Sequence, residues 1–104
     1  MAAFPVLGIY QLSDENDLLF DDASPIKVAF TVPKKHFKKA VTRNLIKRRM
    51  KEAWRLHQRD YVHTLAENNL SSKIIIIYLG KEVLPYKNIE KGTKKLLRKL
   101  NSIS

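Results

Sequence analysis

The segment 38–68 contains no glycine or proline, and this constrains the fold more than any other feature of the chain. Its apolar and aromatic residues recur at the spacing of one helical face, which predicts a single long helix, with a break near Arg59 as the alternative. The face consists of Ile46, Met50, Ala53, Trp54, His57, Tyr61 and Leu65, with Val41, Leu45 and Leu56 extending it on a flank. A helix with one apolar face needs a second layer to pack on, so we expect a sheet.

Three strands and a second helix are predicted around the long helix. Residues 4–12 and 26–33 have strand character, and the apolar run 73–80 is typical of a strand covered on both faces. Residues 13–24 are expected to form an acidic turn and a loop. A last helix is predicted over 87–102, where Gly92 indicates a close approach between helix and sheet.

The element order β-β-α-β-α predicts an α+β protein with the architecture of a small α/β sandwich, in which part of one sheet face stays open. Alternation within 26–33 assigns its side chains to two faces. The face expected to be buried contains Ile26, Val28, Phe30 and Val32, and the open face contains Lys27, Ala29 and Thr31.

Size and composition exclude several classes of function. The 104 residues suffice for a single domain. The absence of cysteine excludes disulfide scaffolds, thiolate zinc sites and cysteine nucleophiles, and fits a reducing compartment. No apolar run approaches a membrane span and no signal peptide is evident, so we expect a cytoplasmic protein. His36, His57 and His63 lack metal-ligand spacing, His57 is expected to pack beside Tyr61, and no metal site is predicted.

Charge is strongly segregated along the chain, whose formal net charge is +10. Residues 34–59 contain eleven lysines and arginines but one acid, Glu52, whereas residues 14–22 contain five acids and no base. Such a separation creates a directional field that attracts polyanions. Nucleic acid is the first candidate partner, and an anionic membrane surface is the second.

Three cations stand where they oppose the stability of the long helix. Lys38, Lys39 and Arg43 fall in its first turns, where the helix dipole already places partial positive charge. Each is expected to cost up to about 1 kcal/mol. A merely solvated face would not require this cost, whereas a helix start lined with cations is a strong phosphate site. The pattern therefore favours nucleic-acid binding.

The segment RNLIKRRMKEAWR at 43–55 resembles the Arg-Asn-Arg motif of the bacterial ribonuclease P protein subunit, and the preceding VPKKHFKKAV resembles that family's entry into its motif helix. The matching positions are Arg43, Asn44, Lys47, Arg48, Lys51, Glu52 and Arg55. Lys51 stands where the family usually has arginine, which keeps the charge but loses bidentate geometry.

The resemblance implies a fold like the second domain of ribosomal protein S5, with a left-handed β-α-β crossover. It also implies one RNA-binding domain over 1–104, acting as a monomer in a 1:1 complex with the catalytic RNA of ribonuclease P. The holoenzyme, an endoribonuclease, removes the 5′ leader of precursor tRNA. The implied chemistry is done by magnesium bound with the RNA subunit, so the protein alone needs no cofactor and supplies no catalytic residue.

The resemblance assigns two groups of residues to RNA. The phosphate-binding group consists of Lys34, Lys35, Lys38, Lys39, Arg43, Asn44, Lys47, Arg48, Lys51 and Arg55. The cleft for the single-stranded leader consists of Tyr10, Lys27, Ala29 and Thr31. Glu52 is expected either to orient neighbouring arginines or to form an ordinary surface ion pair with Arg48 or Arg55. Tyr10 is equally consistent with a tyrosine at the edge of the core.

The sequence leaves two alternatives open and departs from the family at one end. A structural RNA-binding protein of ribosomal type would share the charge and architecture, and a DNA-binding module would use the long helix in a groove. Family members begin with a basic helix that forms one cleft wall, whereas only Met1-Ala2-Ala3 precede the first strand here; if the sequence is truncated at this end, weaker leader binding is expected. Replacing Arg43 or Arg48 by alanine is expected to weaken RNA binding with little change in melting temperature.

Overall fold

The computed structural model describes residues 1–14, 26–68 and 70–103, which form a four-stranded sheet with helices packed on one face. This confirms the predicted α+β sandwich; the acids at 15–22 lie outside the described residues. The strands are β1 (Ala2–Ala3), β2 (Val6–Asp14), β3 (Ile26–Thr31) and β4 (Leu70–Tyr78). The helices are α1 (Ala40–His57), α2 (Arg59–Glu67) and α3 (Tyr86–Ile103).

The sheet has the strand order β1-β2-β4-β3, so β4 lies between two partners of opposite direction. It pairs antiparallel with β2 and parallel with β3. The parallel pair is joined through α1 and α2, which is the β-α-β unit that the family resemblance implies; its left-handedness stays a prediction. Strand β1 was not predicted, because two residues are too few to show alternation.

The long helix is divided at Gln58, one residue before the expected break. Gln58 N still donates to Trp54 O at 2.9 Å, and Val62 N donates to Gln58 O at 3.0 Å. Hydrogen bonds of the α-helical type therefore continue on both sides of the division. The prediction of one uninterrupted helix is wrong, and the alternative of two consecutive helices is confirmed.

The apolar face predicted for the long helix forms much of the core. Ile46, Ala53 and Leu65 are fully buried. Two flank residues were assigned wrongly, since Val41 is 81% exposed and Leu56 is 49% exposed. Val41 lies seven residues before Arg48, about two helical turns, and therefore shares the solvent face.

Helices α1 and α3 are joined by a polar pair at the edge of the core. His57 Nε2 lies 2.9 Å from Glu90 Oε2, and both side chains are less than one-third exposed. This hydrogen bond lowers the pKa of the Glu90 carboxyl group, with partly opposing desolvation. His57 also lines a groove with Tyr61, as the expected packing implied, but its hydrogen-bond partner lies on α3 and was not predicted.

Tyr78, at the end of β4, organises the loop that leads into α3. Its hydroxyl donates to Glu82 O at 2.6 Å and accepts from Leu84 N at 3.1 Å. Burial raises the pKa of this phenol. The tyrosine ring also packs on Phe37, with 5.7 Å between ring centroids. One side chain thus connects the central strand, the loop before α3 and the segment before α1.

Gly92 lies where α3 crosses the turn between β1 and β2. A Cβ atom at this position would lie 2.8 Å from Ala3 O, 2.9 Å from Phe4 O and 2.8 Å from Pro5 Cδ. Two of these atoms are backbone oxygens, which cannot move aside as a flexible side chain does. The close approach expected from the sequence is therefore confirmed.

Replacing Gly92 by alanine should lower the free energy of unfolding by about 1–3 kcal/mol, because the added methyl overpacks this contact. Helix propensity alone predicts the opposite, a gain of about 1 kcal/mol. Urea denaturation followed by circular dichroism measures the difference. The control is Lys95→Ala, exposed on the same helix, which should be neutral or stabilising; a Gly92→Ala protein at least as stable as the parent would contradict the packing argument.

Candidate nucleic-acid interface

Four of the α1 residues predicted to bind RNA form an exposed row, which we call the α1 ridge. It consists of Asn44, Arg48, Lys51 and Arg55, all exposed to solvent. Lys47 borders the row and is half-buried. The ridge lies opposite the buried stripe of the same helix, because the two sets of residues are offset by about half a turn. This stripe consists of Ile46, Met50, Ala53 and Trp54. Packing of the stripe therefore decides where the ridge points.

The connection between β3 and α1 carries four further exposed lysines around one anchored aromatic residue. Phe37 is only 6% exposed, so it fixes this connection to the core. Lys34, Lys35, Lys38 and Lys39 lie at the surface on either side of it. The predicted cations of this segment are therefore brought next to the start of α1.

The start of α1 has no acidic residue in its first turn and no capping hydrogen bond from the side chain at the N-cap, Lys39. The guanidinium of Arg43 turns back instead: its Nη1 donates to Phe37 O at 2.7 Å and to Lys38 O at 2.9 Å. These bonds hold the connection against the helix. Arg43 therefore has a structural role that the sequence did not indicate, in addition to its predicted role at the anion site.

Glu52 pairs with Arg55 and not with Arg48. Arg55 Nη2 and Nε donate to the two carboxylate oxygens at 2.6 and 3.2 Å. This hydrogen bonding lowers the pKa of Glu52 and raises the pKa of Arg55. Both side chains are about half or more exposed, so the pair contributes little to stability. Its main effect is to fix the orientation of the Arg55 guanidinium at one end of the ridge.

Arg49 stands inside the basic segment but does not belong to the ridge. Its Nη1 donates to Leu84 O at 2.8 Å, across to the loop before α3. A charged donor on a partly buried carbonyl is a stabilising contact. The sequence contains one indication of this structural role: by helical spacing, Arg49 falls between the α1 ridge and the buried stripe.

The other side of the sheet is open, as predicted, and forms a shallow depression of about 460 Å³. Ala29 and Thr31 are exposed there and Lys27 is half-buried. Ile75 of the central strand lies level with Ala29 and is 46% exposed. The prediction that the strand at 73–80 is covered on both faces is therefore wrong: the helices cover only one face of β4.

Tyr10 lines the same depression as Lys27 and Ala29, but its place in the register differs from theirs. It pairs in register with Ile74, which is 2% exposed and points to the helix layer. Because paired residues share a face, the Tyr10 side chain lies on the helix side of the sheet, where it remains 38% exposed. Successive residues of β2 lie on opposite faces of the sheet, so an error of one residue reverses the face assigned to Tyr10. Apolar and polar residues alternate too weakly in this strand for the sequence to predict that face.

Three residues of the open face were not singled out from the sequence. Ile9 pairs with Ile75, and Lys73 lies between Gln11 and Lys27 in the register. Ile9 is 53% exposed, so the depression has an apolar centre with lysines at one end. A continuous apolar run hides such an arrangement, because it reads as a strand buried on both sides.

Two further observations concern the described part of the chain. None of its helices is long and apolar enough to cross a membrane. Within residues 1–14, 26–68 and 70–103, no three or more histidine, aspartate and glutamate side chains are grouped so that they could hold a metal ion.

Comparisons with known proteins agree with the motif. The model of the family described as ribonuclease P matches residues 6–101. Proteins described as "Ribonuclease P protein component", from two strains of Porphyromonas gingivalis, are each 27% identical over 94 residues, which is 90% of this chain. The chain spans 65% of the length of these relatives. No solved structure matches it.

Alanine variants of the neighbouring residues Arg48 and Arg49 should show that the first side chain contributes surface charge and the second contributes stability. Arg49→Ala removes the hydrogen bond to Leu84 O and should lower the free energy of unfolding by about 1.5–3 kcal/mol. Arg48→Ala, one residue away on the ridge, should change it by less than about 0.5 kcal/mol. Urea denaturation of both variants makes the comparison.

Arg43→Ala should also be destabilising, because two carbonyl groups lose their donor. This revises the expectation of an unchanged melting temperature at that position. Equal stabilities for the Arg48 and Arg49 variants would contradict the assignment of Arg49 to the fold.

Proposed function

The chain belongs to the ribonuclease P protein family, and from that premise we propose that it binds the catalytic RNA of ribonuclease P and the 5′ leader of precursor tRNA. In this proposal one chain joins one RNA molecule in an endoribonuclease that matures the 5′ end of tRNA. The chain supplies binding and charge neutralisation, and the RNA with its magnesium ions performs the cleavage. The observation that carries the proposal is the exposed α1 ridge at the motif positions.

The α1 ridge suits the backbone of a folded RNA. Structured RNA is recognised largely through shape, phosphate and 2′-hydroxyl contacts. Arg48 and Lys51 are exposed cations one turn apart, and Arg55 presents a guanidinium oriented by Glu52. The side-chain amide of Asn44 can donate to and accept from a ribose hydroxyl. The lysines of the connection before α1 extend this charge toward the edge strand β3.

The open face of the sheet suits the single-stranded leader. Proteins that hold single strands combine a cationic groove with a platform of side chains, usually aromatic, on which the bases lie; an aliphatic platform offers apolar contact without stacking. Ile9 and Ile75 provide the platform, while Lys27 and Lys73 lie beside it. This assignment retains Lys27, Ala29 and Thr31 from the sequence and adds three neighbours. It does not depend on Tyr10, whose side chain lies on the other face.

Cleavage of precursor tRNA by the cognate catalytic RNA, with and without this chain, tests the proposal. The chain should lower the magnesium concentration needed for half-maximal cleavage, because its cations neutralise phosphates that otherwise require bound ions. The chain alone should cleave nothing. An unchanged magnesium requirement would contradict the proposal, and preferential binding to ribosomal RNA in competition would favour a structural role.

Arg48→Ala should weaken binding to the catalytic RNA and reduce the slope of log affinity against log salt by about 1. The matched control is Arg49→Ala, measured under conditions where this variant is fully folded. Its slope should equal that of the parent, because the Arg49 guanidinium is engaged with a carbonyl of the loop. Filter binding over a salt series gives both slopes. A slope for Arg48→Ala equal to that of the parent would show that this arginine meets no phosphate.

Ile75→Glu should reduce the preference for precursor tRNA over mature tRNA by roughly tenfold, which corresponds to about 1.4 kcal/mol. The added carboxylate would repel the leader backbone at the centre of the open face. Val83→Glu adds the same charge at an exposed loop residue and should leave the preference unchanged. Equal preferences for the two variants would contradict the placement of the leader on the sheet.

A further inference from the structure

Helix α3 carries a second row of cations, which we call the α3 ridge. Its members, spaced three or four residues apart, are Lys87, Lys91, Lys94 and Arg98. All four are exposed, whereas Ile89, Leu96 and Leu100 on the opposite side are fully buried. The packing of α3 on the sheet therefore holds this row at the surface, as the packing of α1 does for its own ridge.

The α3 ridge opposes the stability of its helix. Lys87 and Lys91, and likewise Lys94 and Arg98, are like-charge pairs at a spacing of four residues, which destabilises a helix. Lys87 also falls in the first turn, where no acid is present, and the last turn contains no base. The only acid of the helix, Glu90, is engaged with His57. The charge order is thus the reverse of the one that favours an isolated helix.

The two ridges lie on neighbouring helices: α1 packs against α3, and Arg55 of the α1 ridge lies near enough to Tyr86, at the start of α3, to act on its phenol electrostatically. Glu90 joins α3 to His57 of α1, and the groove beyond this pair has a volume of about 200 Å³. Lys94 and Arg98 line this groove opposite His57 and Asp60. The axes of packed helices are typically about 8–10 Å apart, so a partner the size of a folded RNA can reach the cations of both helices.

We propose that the α3 ridge is a second phosphate-binding surface, which holds another backbone segment of the same folded RNA that contacts the α1 ridge. This inference rests on the proposed function and extends its interface to a helix that the motif does not include. A polyanion removes the repulsion within the row, and a folded RNA offers backbone segments to both rows at once. An anionic membrane fits less well, because a membrane-surface helix needs an exposed apolar face and that of α3 is buried.

The test is a variant with Lys91→Gln, Lys94→Gln and Arg98→Gln, measured for binding to the cognate catalytic RNA over a salt series. The slope of log affinity against log salt should fall by about 2–3 for three lost phosphate contacts. The melting temperature should stay equal or rise, since like charges are removed, so weaker binding cannot be ascribed to unfolding. Lys81→Gln, an exposed lysine outside both ridges, is the control for net charge and should hardly change the slope.

Site-directed cleavage locates the two contacts. The chain has no cysteine, so Lys94→Cys and Arg48→Cys each create a unique attachment point for an RNA-cleaving reagent. The two reagents should cut one RNA at different backbone segments. Binding of the triple variant equal to that of the parent, with a loss for Arg48→Ala, would overturn this inference but leave the proposed function intact.

Unchanged binding for the triple variant and Arg48→Ala alike would overturn both proposals. If Lys81→Gln lowers the slope by as much per charge as the triple variant does, the loss of binding reflects net charge and not the α3 ridge. That result would overturn the inference. Loss of binding to anionic phospholipid vesicles, with RNA binding unchanged, would assign the ridge to a membrane instead and would also overturn it.

Discussion

Burial of one stripe of α1 against the sheet determines where almost every other feature of this protein lies. Ile46, Met50 and Ala53 are at most 1% exposed, and each contributes its full apolar side chain to the core. Because a helix is rigid, burying these residues turns Arg48, Lys51 and Arg55 outward as one row. The same contact leaves the far side of the sheet uncovered by α1, α2 and α3. An interior contact thus sets the geometry of two separate surfaces.

The basic segment divides its arginines between surface and fold. Arg43 and Arg49 donate to backbone carbonyls and tie α1 to the connection before it and to the loop before α3. Arg48 stays exposed, and Arg55 is oriented by Glu52. The structural arginines hold fixed the helix on which the exposed ones are displayed. A helix start with cations and no acidic residue needs such support, because its own dipole opposes the charge.

The central strand β4 combines two environments in one apolar sequence. Ile74 and Ile76 face the helices and are buried, while Ile75 faces the open side and is 46% exposed. An exposed isoleucine at the centre of a sheet leaves apolar surface in contact with water, which is unfavourable, and a single strand bound on this face would cover that surface. The helix layer carries its own cations on α1 and α3. The protein thus presents an apolar platform on one side and a cationic surface on the other, joined at the β3 edge by four lysines.

The sequence by itself determined the helical segments, the ridge on α1 and the family, because helical spacing and the motif are local properties, but it left the division at Gln58 open. Residues 43–55 show which side of their helix is buried without reference to any other element. Only the tertiary structure decided that β4 lies at the centre, that Tyr10 points to the helix side and that Arg49 reaches Leu84 O. It also packed α3, with its own row of cations, against α1. These features depend on register and on contacts between residues far apart in the chain, and a one-residue step in a strand reverses its faces without changing its composition.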